Sequence, residues 1–343
     1  MFDIPYDISL NEWTKYTSFL SDFTNDFRLL KETIPDYKQQ EFQAFLKEQK
    51  VIIEEKDKDW NYNALFKKYI ILLDNLERTS IDGLALKTFQ NIEKNETILS
   101  NLKTFEPKGG KANKVVYNLK GTSTGRLTVK EGPSILTLPR RYRSIIKSRH
   151  QGGKIINVDF VSLEPRFARA ITNNNVEKDV YNEISSLTDI VVDRSVIKQA
   201  VLSSLYGSTK DKRLDKLSLE RSKQIMEVVW NYFDLENTRS KFSTKDKWGY
   251  TRNYFGRPLT INSDKENIIY NNYIQSSCVD ISLQYFYQFV NDLKSDLISP
   301  LFILHDALIL DVSSCQLGKV KSYIDKPYEI ANLGHFYLDM SIL

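Results

Sequence analysis

The stretch LFILHDALILDV, residues 301–312, places a histidine and an aspartate between two aliphatic runs. Both runs have strand composition, so the stretch predicts a β-hairpin with His305 and Asp306 at its bend. A charged carboxylate beside an apolar layer is costly unless something binds it. The hairpin would hold Asp306 at the edge of a sheet, where a second acidic group could share a ligand with it.

A second strand-like run, KIINVDF at residues 154–160, carries Asp159 close to its C-terminal end. On neighbouring strands, Asp159 and Asp306 would form a two-carboxylate site. Carboxylate oxygens are ligands that Mg²⁺ prefers, and the ion completes its shell with waters and phosphate oxygens. Two such ions can stabilise the attacking and leaving oxygens of an in-line displacement. Taken alone, each aspartate is also consistent with an ordinary polar turn.

The segment VDRSVIKQAVLSSLYG, residues 192–207, predicts a helix with Asp189 or Asp193 as its N-cap and Gly207 at its C-terminal break. Four side chains recur at every fourth position and therefore share one face: Arg194, Lys198, Leu202 and Tyr206. Two cations one turn apart repel each other, so the helix itself gains nothing from them. A polyphosphate lying along the face would account for both cations. An amphipathic helix with solvated basic residues is the simpler alternative.

A basic segment lies between residues 121 and 154. It begins with Arg126 in the Gly/Thr-rich loop GTSTGRL. Six further basic residues then follow Pro139 without one acid, namely Arg140, Arg141, Arg143, Lys147, Arg149 and Lys154. Such a stripe suits a phosphate backbone, although a solvated charge run is the alternative.

The organisation of the 343-residue chain indicates an α+β class, with strands separated by helices behind a mostly helical N-terminal region. The break EPKGGKANK, residues 106–114, predicts a boundary near residue 110. The net charge of +4 is too small to establish nucleic-acid binding by itself. Cys278 and Cys315 form no disulfide framework or metal-ligand spacing. No signal peptide or membrane-spanning run is found, so we expect a cytoplasmic protein with no membrane partner.

In their order along the chain, these motifs resemble those of the family A DNA polymerases, the group related to bacterial DNA polymerase I. The resemblance runs from about residue 115 to the C-terminus. GTSTGRL is similar to the family's Thr-Gly-Arg loop, DFVSLEPR to motif A, RSVIKQAVLSSLYG to motif B and LHDALILDV to motif C. NYFGR and NNYIQSS are similar to the family's later Phe-Gly-Arg and Asn-x-x-x-Gln elements.

The resemblance implies a right-hand polymerase architecture with an antiparallel-sheet palm. The palm would span residues 111–180 and 260–343, the helical fingers about 180–260, and a reduced thumb-like region 1–110. The implied reaction adds dNTPs to the 3′ end of a primer on template DNA. It would use two Mg²⁺ ions, for which Mn²⁺ is a possible substitute.

The resemblance also implies roles for individual residues. Catalysis would fall on Asp159, Asp306 and Lys198, and the two aspartates would be the metal ligands. The dNTP-binding residues would be Arg194, Lys198, Leu202, Tyr206 and Glu164. Of these, Glu164 would exclude a ribose 2′-hydroxyl. The DNA-binding residues would be Arg126, Arg257, Asn271, Gln275, His305, Arg140 and Arg141.

Several positions depart from the family pattern. Leu202 stands where many members carry an aromatic residue, Ala307 where glutamate is usual, and Asn267 where arginine is common. About 110 residues precede the matched region, which is too few for a 3′–5′ exonuclease domain, so we expect no intrinsic proofreading. Separate exonuclease, primase, helicase or processivity subunits are candidate partners. By analogy, a form this short suggests a virus or mobile element and therefore the host cytoplasm.

Two alternatives remain open. The chain could be a relative of the bacteriophage-type single-subunit RNA polymerases, but a side chain that excludes the 2′-hydroxyl, Glu164, would have no use there. It could also be a catalytically inactive nucleic-acid-binding subunit. Retention of Asp159, Asp306, Arg194 and Lys198 together argues against that alternative, because an inert scaffold does not need them.

Overall fold

A four-stranded antiparallel sheet contains both predicted carboxylate-bearing strands. In the computed structural model these strands are β5 (Lys154–Phe160), β8 (Ile298–Leu304), β9 (Ala307–Val312) and β12 (Leu338–Ile342), in the spatial order β12-β5-β9-β8. The hairpin β8–β9 turns at His305 and Asp306, as predicted, and β5 has the predicted bounds. Strand β12 was not predicted, although it completes the sheet on the other side of β5.

The structure describes residues 62–172, 176, 179–188, 190–207, 218–245, 251–259 and 261–343. Residues 62–343 form one compact unit. The described helices are α1 (Tyr62–Asp74), α2 (Gly83–Ile92), α3 (Glu96–Lys103), α4 (Leu163–Ala170), α5 (Val180–Ser186), α6 (Arg194–Tyr206), α7 (Leu219–Tyr232), α8 (Leu235–Phe242), α9 (Glu266–Asp292) and α10 (Leu317–Ile324), with 3₁₀ turns at Arg140–Ile145 and Ser314–Gln316. The remaining strands are β1 (Ser80–Ile81), β2 (Val116–Asn118), β3 (Thr128–Glu131), β4 (Ile146–Lys147), β6 (Thr251–Arg252), β7 (Pro258–Leu259), β10 (Tyr328–Ile330) and β11 (Gly334–Phe336).

The aliphatic runs of the hairpin are buried on both faces. Every residue of β8 and β9 is buried. On one face, Phe160 packs against Tyr285 and Phe286 of α9, with ring centroids 5.4 and 5.9 Å away. The register places Phe302 on the opposite face, where it contacts Phe105. Burying one large aliphatic or aromatic side chain stabilises the fold by about 1.5–3 kcal/mol, so this double burial makes the hairpin a rigid support.

A tyrosine that does not belong to the sheet forms hydrogen bonds to the backbone of its edge strand, β8. Strand β8 is an edge strand whose register shifts between Pro300 and Phe302. The Tyr117 hydroxyl donates to the carbonyl of Ile303 at 2.7 Å and accepts from its N–H at 3.1 Å. The carbonyl of Pro300 accepts from the backbone N–H of Glu77 at 2.7 Å. These contacts satisfy backbone groups that an exposed edge would leave unpaired.

The predicted thumb-like region 1–110 lies partly outside the described residues, which begin at Tyr62. Its described part is mostly helical, and α1 packs on α9. Strand β1 pairs with β4, where Ser80 lies opposite Lys147. The N-caps Asp82 and Asn95 each accept two backbone N–H bonds at the starts of α2 and α3. Residues 62–105 therefore pack directly onto the elements that carry the sheet.

The two predicted long helices are confirmed. Helix α6 begins at Arg194, with Asp193 at the N-cap position, and ends at Tyr206, with Gly207 as its C-cap at a φ of 71°. Asp189, the other predicted cap, lies outside the described residues. The stretch ENIIYNNYIQSSCVDISLQYFYQFVNDL, residues 266–293, predicts the second long helix, and α9 covers almost all of it. Among the described helices, none is both long and apolar enough to cross a membrane.

We predict that Tyr117→Phe destabilises the fold by about 1–3 kcal/mol, because it leaves buried backbone groups of Ile303 unpaired. The free energy of unfolding in urea measures the effect. Tyr254→Phe is the matched control, since the Tyr254 hydroxyl is exposed and makes a long bond of 3.4 Å to Ala331. Equal stability of the two variants would contradict the proposed edge-closing role.

Candidate active site

The two predicted aspartates meet where β5 ends and β9 begins. Asp159 lies directly opposite Ala307, and the carbonyl of Asp306 accepts from the N–H of Phe160 at 3.4 Å. His305, the first residue of the bend, has a φ of 59°. A two-residue hairpin loop requires such left-handed backbone, which a non-glycine residue adopts at a cost. The tight turn and the buried strands together fix Asp306 beside Asp159.

A cleft of about 440 Å³ opens over this pair. Eight of the predicted site residues line it: Arg126, Asp159, Glu164, Lys198, Leu202, Gln275, His305 and Asp306. They come from the loop after β2, from β5, α4, α6 and α9, and from the hairpin turn. The first and last of these residues in the sequence, Arg126 and Asp306, are 180 positions apart and line the same cavity.

Burial makes the two carboxylates unusually basic. The pKa of Asp159 is raised to about 7, chiefly by burial. The negative charge of the neighbouring Asp306 adds to this shift, and that of Asp339 adds less. Burial also raises the pKa of Asp306. Lys198 lowers both pKa values, but its effect is smaller than that of burial. Burial therefore disfavours the charged form of both carboxyls in the free protein, whereas a bound cation would favour it.

The donor set fits a hard cation that keeps part of its own shell. Among the described residues, no group of three or more His, Cys, Asp or Glu side chains is arranged to hold a metal ion. Two carboxylates are few for a closed protein cage. They are suited to Mg²⁺, which commonly takes one or two protein carboxylates and leaves the remaining positions to water and substrate phosphates.

Sequence reasoning missed a third carboxylate beside the pair. Asp339 of β12 lies directly opposite Asp159 in the sheet register, so both side chains project from the same face. Asp339 is exposed and contributes to the raised pKa of Asp159. The alternation LDMSI at residues 338–342 was the available signal, but a short strand at the end of a chain carries little information about its pairing partner.

Helix α6 brings only part of its predicted face into the cleft. Lys198 and Leu202 line the cleft, whereas Arg194 and Tyr206 are not among its lining residues. The Arg194 guanidinium donates to both carboxylate oxygens of Asp179, at 3.2 and 3.0 Å, and lies 4.7 Å from the centroid of the Tyr181 ring. Arg194 is therefore held by α5 and its N-cap while it remains about half exposed.

Tyr181 is a second residue that sequence reasoning missed. It is almost fully buried, yet it forms part of the cleft wall between α4 and α6. Burial raises the pKa of its hydroxyl, and a bond from Ser162 partly offsets this shift. Its aromatic character gave no functional signal, because most buried tyrosines belong to a core.

An ion pair joins two of the segments that line the cleft. Arg126 donates to Glu164 at 2.7 Å, with side-chain exposures of 44% and 19%. Burial still raises the pKa of Glu164, although Arg126 lowers it. The Arg126 loop and α4 are therefore joined by charge at the cleft. Any ligand that binds Arg126 must compete with Glu164 for it.

The other predicted DNA contacts occupy different positions. On α9, the Gln275 amide donates to Asn271 at 2.7 Å, and Gln275 reaches the cleft while Asn271 lies one turn away. Arg140 and Arg141 are exposed outside the cleft, and Arg141 forms an ion pair with Glu93 at 3.1 Å. Arg140 and Arg141 therefore lie on a surface outside the cleft that holds the acidic pair.

Arg257, which is expected to contact the duplex backbone, is buried in the structure. Its guanidinium is only 8% exposed and is paired with Asp280, which is fully buried. A buried and paired guanidinium cannot reach a phosphate at the surface without breaking this ion pair. The basic residue in NYFGR gave no sign of its partner, which lies 23 residues later.

Comparison with known proteins gives a likeness of fold. No family model and no curated protein matches the chain. Among solved structures, the chain is similar to the POL domain of Pol1 from M. smegmatis in complex with DNA primer-template and dNTP. The TM-score is 0.56 at 18% identity, covering 72% of this chain and 50% of that one. The chain thus spans about half the length of that protein, and its fold is like that of a DNA polymerase domain.

We predict that Asp159→Asn raises the melting temperature at pH 8 in EDTA by several degrees. With a folded pKa of about 7, the wild-type carboxyl binds a proton more tightly in the folded state than in the unfolded state. Stability from this group is therefore lost as pH rises from about 4 to 7, and asparagine removes that loss. At pH 5 the gain should shrink.

Asp264→Asn is the control, because the Asp264 side chain is 96% exposed. Adding MgCl₂ at pH 8 should raise the melting temperature of the wild type more than that of Asp159→Asn. The same difference in melting temperature at pH 5 and pH 8 would contradict the buried-carboxylate interpretation.

Proposed function

We propose that the chain is a template-directed DNA polymerase of the family A type, adding dNTPs to a primer 3′ end. The observation that carries the proposal is the meeting of Asp159, Asp306 and Lys198 in one cleft of a polymerase-like fold. The two aspartates come from strand ends and the lysine from helix α6, which also lines the cleft. An acidic pair facing a cation is suited to a substrate that carries both phosphate oxygens and a metal ion.

Mg²⁺ held by Asp159 and Asp306 would supply charge neutralisation at the reacting phosphate and at the attacking and leaving oxygens. The raised pKa values of both aspartates fit this role, because a bound cation would favour their charged forms. Ala307 offers no carboxylate in the register position opposite Asp159.

The triphosphate would lie along α6. Lys198 is exposed in the cleft, where its ammonium can contact phosphate oxygens and donate a proton to the leaving pyrophosphate. Arg194, one turn towards the N-terminus, would contact the outer phosphates after exchanging its bond to Asp179 for one to the ligand. Leu202 and Tyr206 continue the same face and would contact the sugar and base.

The sugar and the primer terminus would lie against the opposite wall. Glu164, held by Arg126, would occupy the space of a ribose 2′-hydroxyl. Arg126, Gln275 and Asn271 would contact the minor groove, where acceptor positions are shared by all correct base pairs. His305 would contact the primer terminus beside Asp306. The exposed Arg140 and Arg141 would bind the duplex backbone, with an affinity that falls as salt rises.

We predict that the purified chain extends a primed DNA template with dNTPs and Mg²⁺, and that Asp306→Ala lowers this activity by about a hundredfold or more. The loss follows from removing one of the two carboxylates at the reacting centre. Primer extension on a gel measures it, and fluorescence anisotropy of a labelled duplex should show largely unchanged binding.

Asp296→Ala is the matched control, because it removes an aspartate near β8 on a different cavity. The absence of extension by the wild type under varied salt and metal would refute the proposal. Extension by Asp306→Ala at the wild-type rate would refute the assigned role of that residue.

We also predict that Glu164→Ala admits ribonucleotides, lowering the preference for dNTPs over NTPs by at least about tenfold. The shorter side chain would leave room for the 2′-hydroxyl. Extension rates with matched dNTP and NTP sets measure the preference. Glu183→Ala, on the neighbouring helix α5, is the control, and an unchanged preference in Glu164→Ala would place sugar selection elsewhere.

A further inference from the structure

A buried ion pair lies behind the cleft-lining loop. Arg257 donates to both carboxylate oxygens of Asp280, from Nη2 at 2.6 Å and from Nε at 3.2 Å. The two side chains are 8% and 0% exposed. A buried bidentate pair of this kind is strongly directional, and losing one partner leaves an uncompensated charge in the interior.

The turn that carries Arg257 is built around the same aspartate. The Asn253 amide donates to Asp280 at 2.6 Å, while its carbonyl oxygen accepts from the backbone N–H of Arg257 at 2.9 Å. The N–H of Tyr254 donates to the Ser277 hydroxyl at 3.1 Å. The turn between β6 and β7 is therefore attached to one segment of α9, which also lines the cleft through Cys278.

The guanidinium of Arg257 packs directly against the backbone of the loop in front of it. A Cβ atom added to Gly125 would lie 1.7 Å from Nη1 and 2.4 Å from Cζ of Arg257. Gly125 also has a φ of 73°, which disfavours any other residue. The glycine therefore permits a contact between loop backbone and guanidinium that no side chain could replace.

The next residue along this loop is Arg126, which reaches into the cleft and pairs with Glu164 at 2.7 Å. A continuous set of contacts thus runs from Asp280 through Arg257 and Gly125 to Arg126. The two arginines differ in whether their charge is available at the cleft. Because Asp280 neutralises Arg257, the exposed Arg126 is the cation presented to Glu164 or to a ligand.

We infer that Arg257 and Asp280 are positioning residues that hold the 121–127 loop so that Arg126 projects into the cleft. Arg257 thereby acts on the bound substrate through Arg126 and not by contact. The consequence for primer-template DNA rests on the proposed function, whereas the positioning of the loop does not. The two parts therefore need separate measurements.

The first measurement is amide hydrogen exchange in the free protein, without DNA or dNTP. Arg257→Lys keeps the charge but loses the bidentate geometry and the flat surface under Gly125. We expect exchange in residues 121–127 to accelerate by about tenfold, including at the Gly125 N–H that donates to Thr122. If this variant does not fold, Gly125→Ala disturbs the same contact from the loop side and should give the same result.

Asp311→Asn is the matched control. Asp311 is equally buried and accepts from the Ser148 hydroxyl and from the N–H of Arg149, neither of which belongs to the 121–127 loop. It should lower the melting temperature without accelerating exchange in that loop. Unchanged loop exchange in Arg257→Lys, or equal acceleration in Asp311→Asn, would overturn the positioning role.

The second measurement is a double-mutant cycle on binding of primer-template DNA and on primer extension. Arg257→Lys should weaken binding by about tenfold in the wild-type background and have little further effect when Arg126 is already alanine. Equal losses in both backgrounds would show that Arg257 does not act through Arg126. If the wild type neither binds nor extends a primer, the proposed function fails, while the exchange experiment still decides the positioning role.

Discussion

The burial of two carboxylates at adjoining strand ends is the constraint on which the rest of the site depends. Asp159 and Asp306 are held side by side by the β5–β9 register and by a tight turn with left-handed backbone at His305. Burial raises the pKa of both carboxyls and so disfavours their charged forms in the free protein. Such an arrangement costs stability in the free protein and favours a cationic ligand. The buried aliphatic arms of the hairpin supply the rigidity that keeps the pair together.

Around this acidic centre, three arginines are each restrained by an acid. Arg194 is held by Asp179, Arg126 by Glu164 and Arg257 by Asp280. These ion pairs differ in solvent exposure, and we expect their functions to differ accordingly. The first two are exposed enough to exchange partners with a ligand, whereas the third is buried and holds a loop. Lys198 also lines the cleft and lowers the pKa of both aspartates.

Local pattern was sufficient for the elements that carry the motifs. Strand β5, the β8–β9 hairpin, α6 and α9 were all predicted, because each has a strong periodic or strand-like composition and a clear break beside it. The meeting of Asp159 and Asp306 was predicted too, since both lie where a strand ends. Asp339 and Tyr181 were missed. Their importance comes from which strand pairs with β5 and which helix packs beside α4, and neither fact is local.

The sequence by itself determined the class of the fold, the two strand-end aspartates and the basic face of α6, because these follow from residue type and spacing. Tertiary structure alone decided which charges are available. Arg257 and Arg126 are both single arginines after a glycine in loop sequences, yet one is buried against Asp280 and the other faces the cleft. The free energy of a charge depends on its burial and on the distance to its partner, and only the folded chain sets those two quantities.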